Sequence, residues 1–563
     1  MNRNPVNLTK TDFDILVIGG GIYGACMVWE AASRGLSVAL IERGDFCSAT
    51  SANSLKIIHG GLRYLQHGDF KRMRESIAER KILMRIAPHL VHPLPVLVPT
   101  YGWGMKGKPI LSLALAINDG VSCDRNIGLD PQKYLPNGRT ISRSQCLELA
   151  PGVNPDGLTG AAIFYDAQVY NSERLPLAFI QSAVGAGAIV ANYVEATGLL
   201  CEGRQVKGVR ARDRLSGNKF EIGARTTVAT CGPWVDRLRQ WLGGSAPVMP
   251  LAKAINLITR PLFSDYAVGL SSRPPSRDPR APLDKGSRLL FVAPWRGKSI
   301  VGTAYFPCDR PPDTLRATPG EIQQLLDDIN RAYPPAQLTL GDVSFVHCGL
   351  LPSTGIDPHS GEPAIAQHPY VSNMGYDGLY CAVGVKYTTA RHVAVKTIDR
   401  VFRGWGEPPV PSTSAFTPLE GGQIDRFEAF VQGLRRPETV AEDTMRELIY
   451  HYGTAVPQLL HEAGTNPDGD RMLDAQVRHA IRAEMAVQLS DTVVRRTGLG
   501  SLGHPGKASL ERCARVMGRE LGWTEGEIQA QLQQVEAIYN LNLNNLDDRS
   551  EQDDRETLAH STV

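Results

Sequence analysis

A glycine-rich turn between two apolar segments near the amino terminus restricts the possible folds of this chain most strongly. The segment FDILVI, residues 13–18, is apolar and β-branched, and it ends at the glycine run 19–21. Helix-forming residues follow over 23–33, and a second apolar strand is predicted over 36–41. This order predicts a βαβ unit with parallel strands, because a helical crossover returns the chain to the same end of the sheet.

The turn also matches the nucleotide-binding pattern G-x-G-x-x-G at Gly19, Gly21 and Gly24. Glycine at these positions permits a tight turn, lets backbone N–H groups approach a pyrophosphate, and brings the helix against the strand. Glu42 ends the second strand, where a carboxylate accepts hydrogen bonds from ribose hydroxyls. A carboxylate there disfavours a ribose 2′-phosphate, so the motif predicts either NAD or the adenylate half of FAD.

The residues after Glu42 favour FAD over NAD. A typical NAD enzyme continues with another strand and helix, whereas residues 43–65 here are rich in glycine and small hydroxyl side chains. Such a segment can line a long, extended cofactor. Its hydroxyls can bond the ribityl chain, and Gly60 and Gly61 let the backbone pass close to the flavin ring.

Length and composition are typical of a multidomain globular protein. The 563 residues exceed the roughly 250–300 that one hydrophobic core supports, so we expect two or three domains. A net charge of +2 disfavours a nucleic-acid partner. The ten cysteines occur singly, without a C-x-x-C pair, and the amino terminus has no signal-peptide pattern. These features predict reduced thiols, no metal site and a cytoplasmic location.

Two further segments suggest the organisation of the rest of the chain. The apolar run 109–117 is far shorter than the roughly 20 residues of a membrane-spanning helix, so it is either a helix on a membrane surface or a buried helix. A proline- and serine-rich stretch at 406–418 is typical of a linker. Residues 425–540 carry charged amphipathic patterns that predict a helical C-terminal domain, followed by a polar, disordered tail.

Several longer motifs resemble those of FAD-dependent glycerol-3-phosphate dehydrogenases. They are SLKIIHGGLRY (54–64), ATCGPWVD (229–236), FVAPWRGKSIVGT (291–303), VGVKYTTAR (383–391) and VRHAIRAEMAVQLSDTVVRRTGLG (477–500). Their order and spacing match the family along nearly the whole chain. The resemblance implies an α/β fold with a glutathione-reductase-like FAD-binding domain, an antiparallel-sheet substrate domain and a helical C-terminal domain.

The resemblance also implies where the domains begin and end. The FAD-binding domain is expected to be discontinuous, formed by residues 1–90, 160–248 and 346–404. The substrate domain comprises residues 91–159 and 249–345. A linker at 405–418 leads to the helical domain at 419–545, and residues 546–563 form the disordered tail.

The cofactor contacts that the resemblance implies are distributed over several segments. Val194 is expected to hold the adenine through its backbone. The full set is Gly19, Gly21, Gly24, Glu42, Thr50, Ser51, Ser54, Lys56, Val194, Gly232, Lys386, Tyr387 and Thr388.

The family oxidises glycerol 3-phosphate at its C2 hydroxyl to dihydroxyacetone phosphate and passes electrons through the flavin to quinone at the cytoplasmic membrane surface. The implied partners are therefore a small alcohol and a quinone or another electron acceptor. Peripheral contact with the inner face of the membrane and a homodimer are further options. Residues 92–122 correspond to the region that the family places near the bilayer.

Cationic side chains within residues 54–66 are predicted to surround the flavin and the substrate. Positive charge there would stabilise the reduced, anionic flavin that hydride transfer creates. The resemblance gives Arg63 a substrate-facing role, with pairing to a buried carboxylate as the alternative. His59 is the nominal proton acceptor, with a hydrogen-bonded packing role as the alternative. Lys56 is expected to lie beside the flavin, with a surface ammonium as the alternative.

The chain departs from the family where arginines usually bind phosphate. The pattern S-G-V-R-P-L reads CGLLPS here, which puts Leu351 in the arginine's place, and Gln367 occupies a second arginine position. The pattern K-G-S-H reads KAIN and ends at Asn256. A hydrogen bond to a charged group contributes about 1.5–3 kcal/mol, so the loss of two such partners predicts poor binding of glycerol 3-phosphate.

Because of these replaced arginines, the sequence does not specify the identity of the substrate. The cations that could compensate are Arg63, Lys253, Arg391 and Arg260. The substrate is then expected to be a hydroxyl compound that is less anionic, or bulkier on the side of Leu351.

Two other functions are compatible with the sequence. The same flavin architecture could oxidise an amine or amino acid, with Arg63 binding a carboxylate. The chain could also be a catalytically inactive flavoprotein that serves as an interaction module, although such a module has no evident use for the cationic and glycine-rich segment at 54–66.

Overall fold

A computed structural model describes residues 1–102, 107–245, 247–271, 289–358, 361–465 and 467–540. The predicted disordered tail at 546–563 lies outside the described residues. The strands, numbered in chain order, are β1 (Phe13–Ile18), β2 (Val38–Ile41), β3 (Ile57–Ile58), β4 (Val91–Tyr101), β5 (Arg139–Ile141), β6 (Leu158–Val169), β7 (Ile189–Ala191), β8 (Val194–Glu202), β9 (Gln205–Asp213), β10 (Lys219–Ala229), β11 (Leu251–Thr259), β12 (Ala267–Ser271), β13 (Leu289–Trp295), β14 (Lys298–Pro307), β15 (Phe345–Ile356), β16 (Pro363–Ile365), β17 (Tyr370–Ser372) and β18 (Leu379–Val383).

The α-helices are distributed over all parts of the chain. They are α1 (Ile22–Ser33), α2 (Phe70–Ile86), α3 (Lys108–Val121), α4 (Arg143–Leu149), α5 (Arg174–Gly185), α6 (Val235–Trp241), α7 (Pro319–Ala332), α8 (Ala390–Gly404), α9 (Phe427–Gly433), α10 (Glu442–Tyr452), α11 (Val456–Ala463), α12 (Gly469–Glu484), α13 (Lys507–Leu521) and α14 (Glu525–Tyr539). None of the helices in these described ranges is both long and apolar enough to cross a membrane.

The first sheet contains the predicted βαβ unit. Its strands lie in the order β17-β18-β10-β1-β2-β7, and β1 pairs in parallel with both β2 and β10. The predicted strands and helix between residues 13 and 41 are therefore confirmed, with the second strand shortened to β2. Because β1, β2 and β10 are parallel, the segments that follow their carboxyl ends meet at one edge of the sheet.

Alternate residues of β1 pack on opposite faces of this sheet. Val17 belongs to the core formed with α1, α5 and α8, and Ile18 belongs to the core formed with β8, β9 and β10. The β8–β9 hairpin pairs on the amino-terminal half of β10 and is longer than the short strands predicted at 191–194 and 206–210. Both faces of the parallel strands are buried, which explains why residues 15–18 (ILVI) are continuously apolar.

The second sheet has the order β16-β15-β11-β14-β13-β12-β4-β6-β3, with β5 paired on β6. It is antiparallel except for the parallel pair β4–β12. Strands β6 and β15 pair with β4 and β11 in this sheet. The predicted boundaries at 160 and 346 are thus corrected, because they assigned most of both strands to the FAD-binding domain.

The C-terminal region is helical, as the amphipathic patterns predicted, and helices α9 to α14 pack around two apolar cores. The predicted linker at 405–418 contains no helix or strand, but it does not stand apart from the domains. Ser414 within it is fully buried and accepts a hydrogen bond from Arg391 in α8. This segment is therefore fastened to the first domain.

Candidate functional site

A cavity of 1710 Å³ lies where the carboxyl edge of the first sheet meets the second sheet. It is larger than the roughly 300–1,000 Å³ typical of a pocket for one small ligand, so it has room for a dinucleotide and a substrate together. Many of the predicted site residues line it. They are Gly19, Gly21, Glu42, Thr50, Ser51, Ser54, His59, Arg63, Val194, Gly232, Lys386, Tyr387 and Thr388.

The glycine turn has the close contacts that the motif predicted. Gly19 has a φ of +102°, and a Cβ there would lie 2.7 Å from the carbonyl oxygen of Thr230. Gly24 does not line the cavity; a Cβ at this position would lie 1.8 Å from the carbonyl oxygen of Gly19. The third glycine therefore allows α1 to approach the turn, while the first two leave backbone exposed to a ligand.

Glu42 lies at the end of β2 with its carboxylate on the cavity wall. The carboxylate accepts hydrogen bonds from the backbone N–H groups of Gly20 at 2.7 Å and Gly44 at 2.8 Å. Burial raises the pKa of this carboxyl, and the two N–H groups oppose that effect. The adjacent Val194 lines the cavity, but its N–H donates to the carbonyl oxygen of Glu42, so this N–H is already engaged.

The opposite part of the cavity is built from segments far apart in the chain. The backbone N–H of His59 donates to Thr388 Oγ1 at 3.3 Å, and Tyr387 donates its hydroxyl proton to the carbonyl of Ser172 at 2.6 Å. The N–H of Gly60 donates to Asp166 on β6 at 2.6 Å. These bonds hold the glycine pair 60–61 against both sheets.

Lys56 does not line the cavity, which corrects the prediction that it contacts the cofactor. Its side chain is fully buried, and Nζ donates to Ser172 Oγ at 2.9 Å and lies 3.3 Å from a carboxylate oxygen of Glu173. The ammonium also lies 4.6 Å from the ring centre of Trp295. Lys56 therefore supports the cavity wall from behind.

Lys253 and Arg391 are also placed away from the cavity lining, which corrects their predicted substrate contacts. Lys253 forms an ion pair with Glu321 at 2.8 Å. Arg391 is buried and forms a bidentate pair with Glu79, with distances of 2.5 and 3.0 Å. Arg260, the other predicted compensating cation, pairs with Asp342 at 3.2 Å.

Arg63 and Lys386 supply positive charge to the cavity itself. In the part of the chain that the structure describes, Arg63 forms no ion pair, although it is close enough to lower the pKa of Lys386. Burial and the neighbouring guanidinium groups of Arg72 and Arg63 lower the pKa of Lys386 to about 8. Two basic side chains thus face the cavity.

His59 lines the cavity but has little affinity for a proton. Burial, followed by the positive charges of Lys386, Arg63 and Arg80, lowers the pKa of His59 to about 3. The imidazole is therefore neutral near neutral pH, and its role as a proton acceptor is disfavoured by the field of the surrounding cations.

The positions at which arginines were expected lie together on the cavity wall. Leu351 on β15 and Gln367 after β16 both line it, so the structure places the two substitutions in one region. Arg72 of α2 donates to the side-chain oxygen of Gln367 at 3.2 Å. Sequence reasoning missed Arg72, because it belongs to a charged helix without a motif. Asn256 also lines the cavity and accepts a hydrogen bond from Thr303 at 2.7 Å.

Comparison with known proteins agrees with this geometry. A family model described as FAD dependent oxidoreductase matches residues 14–394, and one described as C-terminal domain of alpha-glycerophosphate oxidase matches residues 412–528. A glycerol-3-phosphate dehydrogenase of Synechocystis is 31% identical over 552 residues, covering 94% of this chain and 97% of its own. The chain belongs to the FAD-dependent glycerol-3-phosphate dehydrogenase family.

Other members of the glycerol-3-phosphate dehydrogenase family are similar over comparable lengths. The human mitochondrial enzyme is 30% identical, covering 96% of this chain and 76% of its own. A crystal structure of the Bacillus halodurans enzyme complexed with FAD superimposes with a TM-score of 0.73 at 26% identity, covering 96% of this chain and 97% of its own. The predicted fold class and cofactor are confirmed by these matches.

The residues of this family member fit FAD. The turn at 19–21 exposes backbone beside the end of α1, where Ile22 donates its N–H to Ser51 Oγ at 2.9 Å. A helix amino terminus of this kind is suited to a pyrophosphate. Glu42 is placed for the ribose hydroxyls, and the cavity continues from there to Lys386 and Thr388, as an extended flavin nucleotide requires.

Proposed function

We propose that this protein oxidises a secondary alcohol that carries an anionic group, and that the electrons pass through FAD to a quinone. The observation that supports this most directly is the position of Arg63, which faces the nucleotide cavity and has no ion-pair partner in the described ranges. A guanidinium can bind an anion through two parallel charge-assisted hydrogen bonds. Glycerol 3-phosphate and other anionic polyols are the compounds to test first.

Bound FAD would supply the hydride acceptor, and the chain's own residues must orient the alcohol and remove its hydroxyl proton. Arg63 binds the anionic group, and the apolar side chain of Leu351, which also lines the cavity, limits the shape of the substrate. The positive charge of Arg63 disfavours a protonated amine in this part of the cavity. The named relatives are likewise dehydrogenases of an alcohol, which favours this function over amine oxidation.

A substrate panel read through flavin absorbance tests the proposal. The purified holoenzyme is mixed anaerobically with glycerol 3-phosphate, uncharged polyols, hydroxy acids and amines. We expect bleaching at the lowest concentrations with an anionic secondary alcohol. Bleaching by amines alone would contradict the proposed reaction, and a flavin that no compound reduces would favour the inactive interaction module.

We assign the proton acceptor to Lys386, in place of His59. The pKa of Lys386 is lowered to about 8, so a substantial neutral fraction exists slightly above neutral pH, whereas the pKa of His59 is about 3. A general base works best when its pKa is close to the working pH. The Lys386 ammonium also lies 4.4 Å from the ring centre of Tyr64, which is the residue that follows Arg63 in the sequence.

This assignment predicts a specific pH dependence of flavin reduction. Because Lys386 is protonated below its pKa of about 8 and neutral above it, the rate of reduction by saturating substrate should rise as the pH passes through that value. Lys386→Met should remove this rise, and His59→Gln should retain it. Stopped-flow absorbance across the pH range measures both, and a rise that survives in Lys386→Met but vanishes in His59→Gln would reverse the assignment.

We also propose that α3 touches the membrane that holds the quinone. Its side chains Ile110, Leu113 and Ile117 line the cavity and are also 37%, 63% and 40% exposed. An apolar helix face that is both exposed and open to the flavin cavity suits an acceptor that arrives from a lipid phase. Of the two interpretations of the apolar run, the surface helix is therefore favoured over the buried one.

Replacing Leu113 with aspartate should weaken binding to phosphatidylethanolamine–phosphatidylglycerol vesicles by about tenfold or more, because burial of a leucine contributes about 1.5–3 kcal/mol. Cosedimentation measures this binding. Val6→Asp is the matched control, because Val6 is 61% exposed but lies outside α3. Equal vesicle binding by the wild type and Leu113→Asp would exclude α3 as the contact.

A further inference from the structure

The wall that carries Glu42 is attached to the C-terminal helical region through one buried carboxylate. Residues 42–44 and 47–51 line the part of the cavity around Glu42, here called the adenosine part, whereas Asp45 lies outside the lining with its side chain fully buried. This carboxylate accepts hydrogen bonds from Arg496 Nη1 at 2.8 Å and Nη2 at 2.7 Å, and from Arg495 Nε at 2.5 Å. Two guanidinium groups from the other end of the chain therefore hold this segment.

Both arginines belong to the π-helical turn Asp491–Arg496. A π-helical turn is uncommon and often marks a functional position in a helix. Here, it brings two consecutive arginines to one carboxylate. Arg496 is 1% exposed, and its Nε also donates to the carbonyl oxygen of Glu484 at 3.2 Å. Three of its nitrogen atoms are thus hydrogen-bonded within the protein.

The same turn also holds the second wall of the adenosine part. Asp491 accepts a hydrogen bond from the hydroxyl of Tyr193 at 2.7 Å. The backbone N–H of Tyr193 donates to the carbonyl of Gly44 at 2.9 Å, and the next residue, Val194, lines the cavity. The turn therefore contacts the segment before β8 and the segment after β2 at once.

The charges of Asp45, Arg495 and Arg496 stabilise one another. Burial tends to raise the pKa of Asp45, but the charges of Arg496 and Arg495 outweigh it and hold the pKa of Asp45 below its usual value. In a buried site, removing one partner leaves an uncompensated charge and is strongly unfavourable. Loss of Arg496 should consequently move the segment at 42–51 that Asp45 anchors.

We propose that the π-helical turn Asp491–Arg496 is a clamp that sets the affinity of the protein for FAD. It holds residues 42–51 and the Tyr193–Val194 pair in the arrangement that receives the adenosine half of the cofactor. Asp45, Tyr193, Asp491, Arg495 and Arg496 are positioning residues, because none of their contacts described above is made to the cofactor. By thermodynamic linkage, FAD binding must in turn stabilise the docking of this turn. The inference rests on FAD binding and is independent of which alcohol is oxidised.

The decisive measurement is the dissociation constant of FAD, determined by titrating apoprotein and following flavin fluorescence. Arg496→Met should raise this constant by about ten- to hundredfold, and Arg496→Lys should restore part of the loss, because it keeps one charged donor. Arg482→Met is the matched control. It removes an arginine–carboxylate pair, Arg482–Glu520 at 2.8 Å, that lies in the same helical region but is exposed to solvent. Its FAD affinity should equal that of the wild type.

A purely structural role would give a different result. In that case, Arg496→Met would lower the melting temperatures of the apoprotein and the holoprotein equally and leave the FAD dissociation constant unchanged, which would overturn the proposal. If Arg496→Met does not fold, the FAD dissociation constant of Tyr193→Phe tests the proposal instead. It removes only the hydroxyl that bonds Asp491, so a raised dissociation constant supports the clamp and an unchanged one refutes it.

Hydrogen exchange tests the reciprocal effect in the wild-type chain. Amide exchange over residues 491–497 should slow when FAD is added to the apoprotein, although these residues do not line the cavity. Exchange that is the same with and without FAD would overturn the linkage. This outcome would leave the proposed alcohol oxidation untouched, since that reaction is tested separately by flavin bleaching.

Discussion

Replacing Arg63 with alanine should lower kcat/KM for an anionic alcohol by at least about a hundredfold, because two charge-assisted hydrogen bonds contribute about 1.5–3 kcal/mol each. Arg63 faces the cavity without an ion-pair partner in the described part of the chain, so its charge is available to a ligand. The other predicted cations, Lys253 and Arg391, are neutralised by Glu321 and Glu79 and cannot replace it. Steady-state kinetics with a soluble artificial acceptor measures the loss.

Two comparisons separate anion binding from a general disturbance of the site. Arg63→Lys keeps the charge but loses the bidentate geometry, so its kcat/KM should lie between those of the wild type and the alanine variant. The FAD dissociation constant should be the same in all three proteins, because the proposed partner of Arg63 is the substrate. A kcat/KM within about threefold of wild type in Arg63→Ala would exclude Arg63 as the anion site.

Replacing Leu351 with arginine should improve the use of glycerol 3-phosphate. Leu351 is half-buried on β15 and lines the cavity. An arginine at this position would therefore place a planar guanidinium on the cavity wall. A phosphate dianion would gain two charge-assisted hydrogen bonds, and we expect KM for glycerol 3-phosphate to fall by at least about tenfold.

Position 351 is a better choice than position 367 for this experiment. Gln367 already accepts a hydrogen bond from Arg72, so an arginine at 367 would place two guanidinium groups together. Leu351→Met is the control for size without charge and should leave KM for glycerol 3-phosphate unchanged. A wild-type KM for glycerol 3-phosphate already in the micromolar range, unaffected by Leu351→Arg, would show that the leucine does not restrict phosphate binding.

Arg72 shows why the substitutions could not be interpreted from the sequence alone. The motif comparison recorded Leu351 and Gln367 as two lost arginines and looked for replacements at Arg63, Lys253, Arg391 and Arg260. Only Arg63 among these lines the cavity. The cation that contacts Gln367 comes from α2, 295 residues earlier in the chain, and no local pattern marks it.

The helical C-terminal region gives a second example. Its amphipathic patterns were sufficient to predict helices, because apolar spacing is a local property. That its π-helical turn holds Asp45, 451 residues away from Arg496, depends on how the region docks on the FAD-binding domain. The apolar pattern of α3 likewise predicted a helix but did not specify its surroundings. From the sequence alone, a buried position and a position on a membrane surface were equally compatible with it.

By itself, the sequence determined the nucleotide-binding half of this protein. Strand β1, the glycine turn, α1 and Glu42 lie within one short segment, and backbone sterics at glycine and the apolar pattern are sufficient to specify their geometry. Only the tertiary structure decided which charged side chains face the cavity. Lys56 pairs with Glu173, 117 residues away, and Arg391 pairs with Glu79, 312 residues away. A buried charge must find a partner, and which partner is near enough is set by the packing of the whole chain.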